Sequence, residues 1–514
     1  MKMINKQITL LILIVSCGVF SSRHSLAQQV DPNAMGYYNY VPQFSAQAVL
    51  GSARMQGLAG AGVSLGGDIG QIPLNPASLG LFRKSEMQIS IGLGTSGVDA
   101  SYLGSSTRAN KTWFGIPNFG AVFNLKKENS GSSGFQGGSL GISFTKINNY
   151  QENVAMSGVN TQNSMTDYFV DISQGTSISS INNQDINNPN TLQALAYNSY
   201  LTEYDNTSNS FYRPFIYSTS QQREYTSKKG GQYSWDVAYG ANFNDRVYIG
   251  AGSSMLVTNY RQERKFEEKV LPSPNGLSSF TFTENDYHRG TGFNLKLGAI
   301  VKVTDWMRIG GSVHTPTYNY MRETYSWGIT TQYDNVILSD GSTLTGTDIK
   351  TTTNVYDYRF VKPMRLSGGL TLLAGKHGFI TADLEYVPYA ASSFQDKRDA
   401  FVFIGDNSTI RSMYKNVVNY KIGAELRLTS EYRLRGGFAY NADPYKYNDG
   451  VNRDMYYVSG GAGARFDTYY IDFAVVQGWG NRLYKPYVLS NGQEPTAVFK
   501  NHYGFYQFTT GFYF

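Results

Sequence analysis

Long stretches of this sequence alternate between apolar and polar residues, one residue at a time. In the stretch 233–240, Tyr233, Trp235, Val237 and Tyr239 alternate with serine, aspartate, alanine and glycine. The stretches 293–303 and 418–428 repeat this pattern. Because successive side chains of a β-strand point to opposite faces, each stretch predicts a strand with one apolar and one polar face. The strands of globular proteins average about 5–6 residues, whereas a tilted strand that crosses a bilayer needs about 9–11.

The same alternation recurs along the rest of the chain. It predicts further strands at Met87–Gly94, Trp113–Asn124, Leu140–Lys146, Val247–Val257, Met307–His314, Leu366–Leu373, Phe379–Tyr386, Tyr432–Tyr440, Tyr456–Phe466 and Tyr469–Val476. Tight turns join several of them, at 244–246, 304–305 and 429–431. Long polar stretches, which we predict to be loops, separate others at 148–231, 263–287, 325–356, 388–416 and 478–501. Short turns at one end and long loops at the other are typical of outer-membrane β-barrels.

The last residues of the chain form one more alternating stretch. Tyr506, Phe508, Phe512 and Phe514 fall on one face of a terminal strand, and Phe514 is the final residue. An exposed aromatic end suits a strand that presents this face to lipid. We therefore expect the barrel assembly machinery to recognise the C-terminal Phe514.

The N-terminus predicts export from the cytoplasm. A short basic region is followed by the apolar run Ile8–Phe20 and by small residues that end at Ala27, which is the pattern of a secretory signal peptide. The alternative cleavage site is a lipoprotein-like box that ends at Cys17, the only cysteine of the chain. Cleavage after Ala27 divides the chain into a signal peptide (1–27), an N-terminal extension with a hatch (28–85) and a barrel (86–514).

Composition narrows the class of protein. The chain has 40 Tyr, 29 Phe and 54 Gly, but only 16% charged residues, against roughly a quarter in a typical soluble domain. Its formal net charge of +6 falls to +3 without the signal peptide, so nothing favours nucleic acid as a partner. Without Cys17 there is no disulfide, thiolate metal site or cysteine nucleophile.

Between the signal peptide and the first strand lies a glycine-rich segment, residues 51–80. Glycine is unfavourable in helices and in strands, so this segment predicts a compact, irregular structure. Its end is better defined: Asn75 is a helix N-cap and Pro76 occupies the first helical position of a short turn.

This segment resembles the FadL-type hydrophobic-compound channels of outer membranes, also called OmpP1 or TodX. The resemblance lies in Ser52–Arg54 through Gly60-Ala61-Gly62, then in Leu74-Asn75-Pro76-Ala77, and it returns in 432–444. It implies an all-β protein, a transmembrane antiparallel barrel of about 14 strands, in the outer membrane of a Gram-negative bacterium. An N-terminal hatch would plug the lumen, with Gly60, Gly62, Asn75, Pro76 and Ala77 in the hatch. The resemblance also implies diffusive uptake of long-chain fatty acids or similar apolar ligands, with lateral exit through a gap in the wall.

The residues that would contact the ligand are less well defined. Leu192, Leu195 and Tyr200 fall at helical spacing within the loop 148–231. They predict a short amphipathic helix, which either forms part of an apolar capture groove or packs over the barrel rim.

We predict no enzyme activity, cofactor or metal site. The mature histidines are scattered, and no nucleophile or phosphate-binding motif occurs. Two other functions stay open: an outer-membrane secretion component that holds exported cargo, and a barrel lipid enzyme that would need His314 or His377 beside a serine.

Overall fold

The computed structural model describes residues 30–31, 34–49, 51–126, 134–272 and 276–514. The predicted signal peptide, including Cys17 and both candidate cleavage sites, lies outside these residues.

Strands dominate the described chain. They are β1 (Glu86–Tyr102), β2 (Ser105–Lys126), β3 (Phe135–Asn149), β4 (Glu152–Asn160), β5 (Glu203–Asp205), β6 (Ser210–Tyr212), β7 (Ser220–Phe243), β8 (Val247–Val270), β9 (Leu277–Thr304), β10 (Met307–His314), β11 (Thr317–Ile337), β12 (Thr343–Lys350), β13 (Asn354–Lys362), β14 (Arg365–Leu373), β15 (Gly378–Pro388), β16 (Ser393–Gln395), β17 (Asn416–Arg427), β18 (Tyr432–Asn441), β19 (Met455–Arg465), β20 (Tyr469–Tyr484) and β21 (Ala497–Tyr513).

Fourteen of these strands form a closed antiparallel barrel, in the order β1-β2-β3-β7-β8-β9-β10-β14-β15-β17-β18-β19-β20-β21. The last strand pairs with the first over its whole length, from Glu86 opposite Tyr513 to Tyr102 opposite Ala497. Closure leaves no sheet edge exposed, which is what a bilayer requires of β-structure. The predicted all-β fold of about fourteen strands is therefore confirmed.

The apolar faces predicted from the alternation point outward. Trp235, Val237, Phe293, Leu297 and Ile422 all expose their side chains. The aromatic face of the C-terminal strand also points outward, and Phe514 is 60% exposed. Because every second residue contributes, the barrel carries a continuous apolar belt that suits contact with lipid.

The predicted loops 263–287 and 325–356 are wrong as loops. β8 continues to Val270 and β9 starts at Leu277, while β11, β12 and β13 fill most of the second stretch. These segments extend beyond the apolar belt, where the outward face becomes polar, as at Lys265 and Lys269, while inward residues such as Phe280 stay apolar and buried. The outward apolar positions that mark the belt end there although the backbone pairing continues.

Helices are few and short. They are α1 (Tyr40–Ser45), α2 (Ala53–Gly57), α3 (Met165–Ser173), α4 (Ile178–Asn182), α5 (Leu192–Asn198) and α6 (Ile404–Met413), with 3-10 turns at Tyr37–Asn39, Ile69–Gln71, Pro76–Leu81 and Tyr389–Ala391. In the part of the chain that the structure describes, no helix has both the length and the apolar character needed to cross a membrane.

Candidate functional site

The glycine-rich segment, residues 51–81, lies inside the barrel, and we call it the hatch. The hatch packs directly against glycines of the barrel wall. If any of these glycines carried a Cβ, that atom would lie within 3.4 Å of a hatch atom. These glycines occupy ten different strands, and we call them the glycine ring: Gly120, Gly141, Gly240, Gly250, Gly298, Gly310, Gly369, Gly423, Gly437 and Gly461. At these ten positions the wall has no side chain, so the hatch approaches the strand backbone closely.

Asn75 organises the end of the hatch as predicted. Its side chain accepts a hydrogen bond from the Ala77 amide at 3.0 Å, which caps the 3-10 turn that starts at Pro76. Its amide nitrogen donates to the Val63 carbonyl at 2.7 Å, so it also joins two parts of the hatch. Asn75 is completely buried.

The two predicted hatch glycines are required by backbone conformation and by space. Gly60 has a φ of +77°, a conformation that other residues rarely adopt. A Cβ on Gly62 would lie 2.5 Å from the Met55 methyl carbon. Both residues lie within the hatch, and their role in gating stays a prediction.

Polar contacts attach the hatch to the wall. Asp383 of β15 accepts hydrogen bonds from the Gly62 and Val63 amides, at 2.6 and 3.0 Å. The Ala53 amide donates to the Thr509 hydroxyl at 2.8 Å. Buried carboxylates that accept amide hydrogen bonds hold a backbone firmly, because both groups would be costly to leave unpaired.

Ion pairs reinforce this attachment. Arg54 of the hatch lies 3.3 Å from Glu425, which also pairs with Arg435 at 2.8 Å. Arg435 in turn lies 2.7 Å from Asp472. Arg435 and its two carboxylate partners are therefore inside the barrel, and this network contacts the hatch through Arg54.

The N-terminal extension, residues 34–49, occupies the lumen above the hatch. Val41 and Phe44 are buried in an aromatic cluster supplied by the extended strands and by the loop that contains α6. Tyr40 stacks on Phe44 with ring centroids 5.3 Å apart. The backbone amides of Met35 and Tyr38 donate to Asp406 of α6, which fixes the start of the extension. The lumen therefore contains two successive obstacles, the hatch and the extension.

A buried polar cluster fixes the extension to the wall. Asp286, His288 and Glu323 bring their ligand-type atoms within 4.8 Å of one another. Asp286 accepts from Tyr40 at 2.6 Å and lies 2.8 Å from His288 Nε2, while Tyr37 donates to Glu323. Burial raises the pKa of Glu323, and His288 acts in the opposite direction. Burial also raises the pKa of the Tyr37 hydroxyl.

Sequence reasoning missed this cluster. Asp286 and His288 are two residues apart and so share one strand face, which is a readable signal. Glu323 comes from β11, whose pairing with β9 places it opposite His288. Asp286 lies in the predicted loop 263–287, and His288 and Glu323 lie just outside the predicted loops 263–287 and 325–356.

The wall has a seam between β2 and β3. Their ladder runs from Lys126 opposite Gly137 to Asn118 opposite Thr145 and ends there, whereas β2 continues to Ser105 in pairing with β1. Beyond this point β2 faces β4 instead, and a side chain bridges them: Thr107 of β2 donates to the Ala155 carbonyl of β4 at 2.5 Å. Side-chain bridges are easier to part than a continuous backbone ladder.

The seam forms because the chain beyond β3 bends inward. Val154 and Met156 of β4 pack against Val98, Tyr102 and Phe499, inward-facing residues of β1 and β21. On the outside, Phe114 is 70% exposed and Ile116 is 46% exposed. Since both lie on β2 beside the seam, the seam reaches the apolar belt.

The predicted helix in the long loop exists as α5. Leu192 and Leu195 are buried in a cluster with Phe169 of α3, Phe280 of β9 and Tyr333 of β11. Tyr200 follows the helix with a φ of +57° and is 38% exposed. Their role as ligand-contacting residues stays a prediction.

The two histidines that a barrel lipid enzyme could use, His314 and His377, make different structural contacts. His314 Nε2 lies 3.0 Å from the Leu74 carbonyl oxygen and so contacts the hatch. His377 lies in the turn between β14 and β15, where its amide bonds to Ala374. Neither geometry resembles a nucleophile paired with a base.

These features define a membrane-spanning β-barrel whose own N-terminal segment fills its lumen. No family model and no curated protein sequence matches the chain. Solved structures do match its fold. The chain is similar to a FadL homologue from Pseudomonas aeruginosa, at a TM-score of 0.55 and 13% identity, over 91% of this chain and 99% of the other. It is also similar to the toluene transporter TodX of P. putida, at a TM-score of 0.50 and 11% identity, over 91% and 99%.

The protein thus has the fold of FadL-type outer-membrane channels. The closed barrel and its apolar belt make it an integral protein of the outer membrane.

Proposed function

We propose that this protein is an outer-membrane channel for the passive uptake of hydrophobic small molecules, such as long-chain fatty acids or aromatic hydrocarbons. The observation that carries the proposal is the combination of a filled lumen with a seam that reaches the apolar belt. An apolar molecule gains nothing from a water-filled axial pore, because its surface would stay hydrated throughout. A route from the lumen through the wall delivers it to lipid instead.

The seam between β2 and β3 is our candidate for that lateral route. Trp113 lies at its lower end, where the Lys146 ammonium is 5.8 Å from the ring. The apolar side chains of Phe114 and Ile116 continue the route on the outside. The match to a toluene transporter supports an apolar cargo of this kind. The hatch and the extension then set how readily a ligand reaches the seam.

Uptake by a deletion strain that carries the gene on a plasmid tests the proposal. We expect loss of the protein to slow the uptake of radiolabelled oleate or of toluene, and the wild-type gene to restore it. A cysteine pair, Thr107→Cys with Ala155→Cys, closes the seam where β2 faces β4 beyond the end of the β2–β3 ladder. Under oxidation it should abolish the restored uptake, and a reductant should recover it.

The control places the same bond where the ladder is intact. Thr95→Cys with Thr112→Cys joins β1 to β2 at directly opposed positions, so its oxidation should leave uptake unchanged. Full oxidation across the seam with normal uptake would refute the lateral route. Unchanged uptake of both compounds in the deletion strain would refute the channel itself, and would leave the secretion component as the better hypothesis.

A further inference from the structure

An open groove of about 550 Å³ crosses the outer face of the wall where β8, β9, β11 and β13 extend beyond the belt. Its lining includes Tyr287, Arg289, Tyr320, Arg322 and Lys397. These side chains point away from the lumen, since they share a face with Phe293 of β9 and Tyr318 of β11, which are 54% and 57% exposed. The groove therefore faces the membrane surface rather than the conduit.

Positive charge is in excess in this groove. Arg289 and Arg322 are directly opposed on β9 and β11, an arrangement of like charges that destabilises a sheet. Asp357 pairs with Arg322 through two hydrogen bonds, at 2.6 and 2.8 Å. Within the described residues, Arg289 has no ion pair. Among the charged lining residues, Asp357 thus offsets one of three cations.

Two more cationic contacts surround Tyr320, one step nearer the belt. The Arg359 guanidinium lies 4.9 Å from the Tyr320 ring centroid, and the Lys397 ammonium lies 5.3 Å from it. The Arg359 Nε is buried and has no hydrogen-bond partner within the described residues. An unpaired buried donor beside a cation-rich groove calls for an acceptor.

The height of the groove identifies the acceptor. Arg289 is four residues beyond Phe293 on the same strand face, which corresponds to about 13 Å along the strand. It lies at the end of the barrel that carries the long loops, just above the belt. The head groups of the outer leaflet occupy this level, while their acyl chains contact the belt.

We propose that this groove binds the phosphorylated head group of an outer-leaflet lipid. Arg289, Arg322 and Lys397 contact phosphate oxygens, because arginine presents paired donors that match phosphate geometry and charge-assisted bonds are the stronger ones. Tyr320, one step nearer the belt than Arg289, lies at the boundary between head group and acyl chain, the usual place of membrane aromatic residues. Tyr287 lies one step farther from the belt. The bound anion relieves the repulsion between Arg289 and Arg322. This proposal is independent of whether the barrel conducts.

Native mass spectrometry of the full-length protein in detergent tests the site. The purified barrel is mixed with bisphosphorylated lipid A or with the same lipid after removal of both phosphates. We expect wild type to retain the phosphorylated lipid through delipidating detergent exchange and to lose the dephosphorylated one. The variant Arg289→Gln with Lys397→Gln should retain at least tenfold less of the phosphorylated lipid.

The matched control is Lys265→Gln with Lys269→Gln. It removes the same charge from the exposed outer face of β8, farther from the belt. It should bind lipid A as wild type does. Equal retention by the groove variant and the control would overturn the proposal, and so would equal retention of the dephosphorylated lipid by wild type. Lys397→Gln alone, expected to weaken retention severalfold, serves if the double variant does not assemble.

Discussion

Replacing one glycine of the ring should loosen the hatch without harming the wall. A Cβ on Gly250 would lie 2.5 Å from the Pro76 carbonyl oxygen, and its other close neighbours are backbone atoms of Pro76 and Ala77. These distances are about 1 Å short of ordinary contact, and backbone atoms cannot rotate away. Overpacking of this kind costs about 1–3 kcal/mol. A cost of 1 to 2 kcal/mol shifts an equilibrium by a factor of roughly 5–30.

Thiol labelling measures that shift. Ser78 lies in the hatch and is completely buried, and Cys17 belongs to the predicted signal peptide. Ser78→Cys therefore gives one buried thiol, which a maleimide reaches only when the hatch moves. In this background, Gly250→Ala should raise the labelling rate about 5–30-fold.

Gly368→Ala is the matched control, because an added Cβ there meets nothing within 4 Å. It should label at the wild-type rate. Both variants should keep the gel mobility of a folded barrel before heating. Equal labelling rates in two folded variants would refute the idea that the glycine ring seats the hatch.

Three further outcomes follow from the same contacts. Asn75→Ala removes a cap worth about 1 kcal/mol, so Ser78→Cys labelling should rise about fivefold while assembly stays normal; an unchanged rate would contradict this. Arg435→Met removes one partner from each of Glu425 and Asp472, which keep Arg54 and Arg465, and should cost about 1.5–3 kcal/mol. The loss should appear as a lower temperature of unfolding in heat-modifiability gels. Arg433→Met, whose closest carboxylate contact is 3.8 Å, should lower that temperature far less. Tyr40→Phe removes the hydrogen bond to Asp286 and should make the N-terminal extension more sensitive to proteinase K added to intact cells. Digestion at the wild-type rate would argue against this attachment.

The sequence predicts the part of the fold that lipid constrains. Within the belt every second residue must be apolar, so the part of β9 from Phe293 to Val303 can be predicted from the sequence alone. Beyond the belt that constraint ends, and the stretch 325–356 is predicted as a loop although the end of β11 and the whole of β12 pair there. The glycines and the Asn75 cap predict a compact segment with a defined end, and the resemblance to FadL-type channels implies that this segment plugs the lumen.

The features that the sequence does not predict depend on which strands pair and in which register. Gly250 and Gly298 look like weak positions in a strand until Pro76 is placed against them. Thr145, where the ladder between β2 and β3 ends, sits in an unbroken alternating stretch, so nothing local predicts a seam there. The Asp286, His288 and Glu323 cluster needs the register between two strands, which one sequence does not provide.

The glycine ring also limits what natural variation can do. At ten wall positions any side chain would collide with atoms of the hatch, and each position faces a particular part of the hatch. A hatch grafted from a related barrel would collide with this wall at some positions and leave gaps at others. Plug and cylinder must therefore change together during evolution, and chimaeras that exchange one without the other should leak or fail to close.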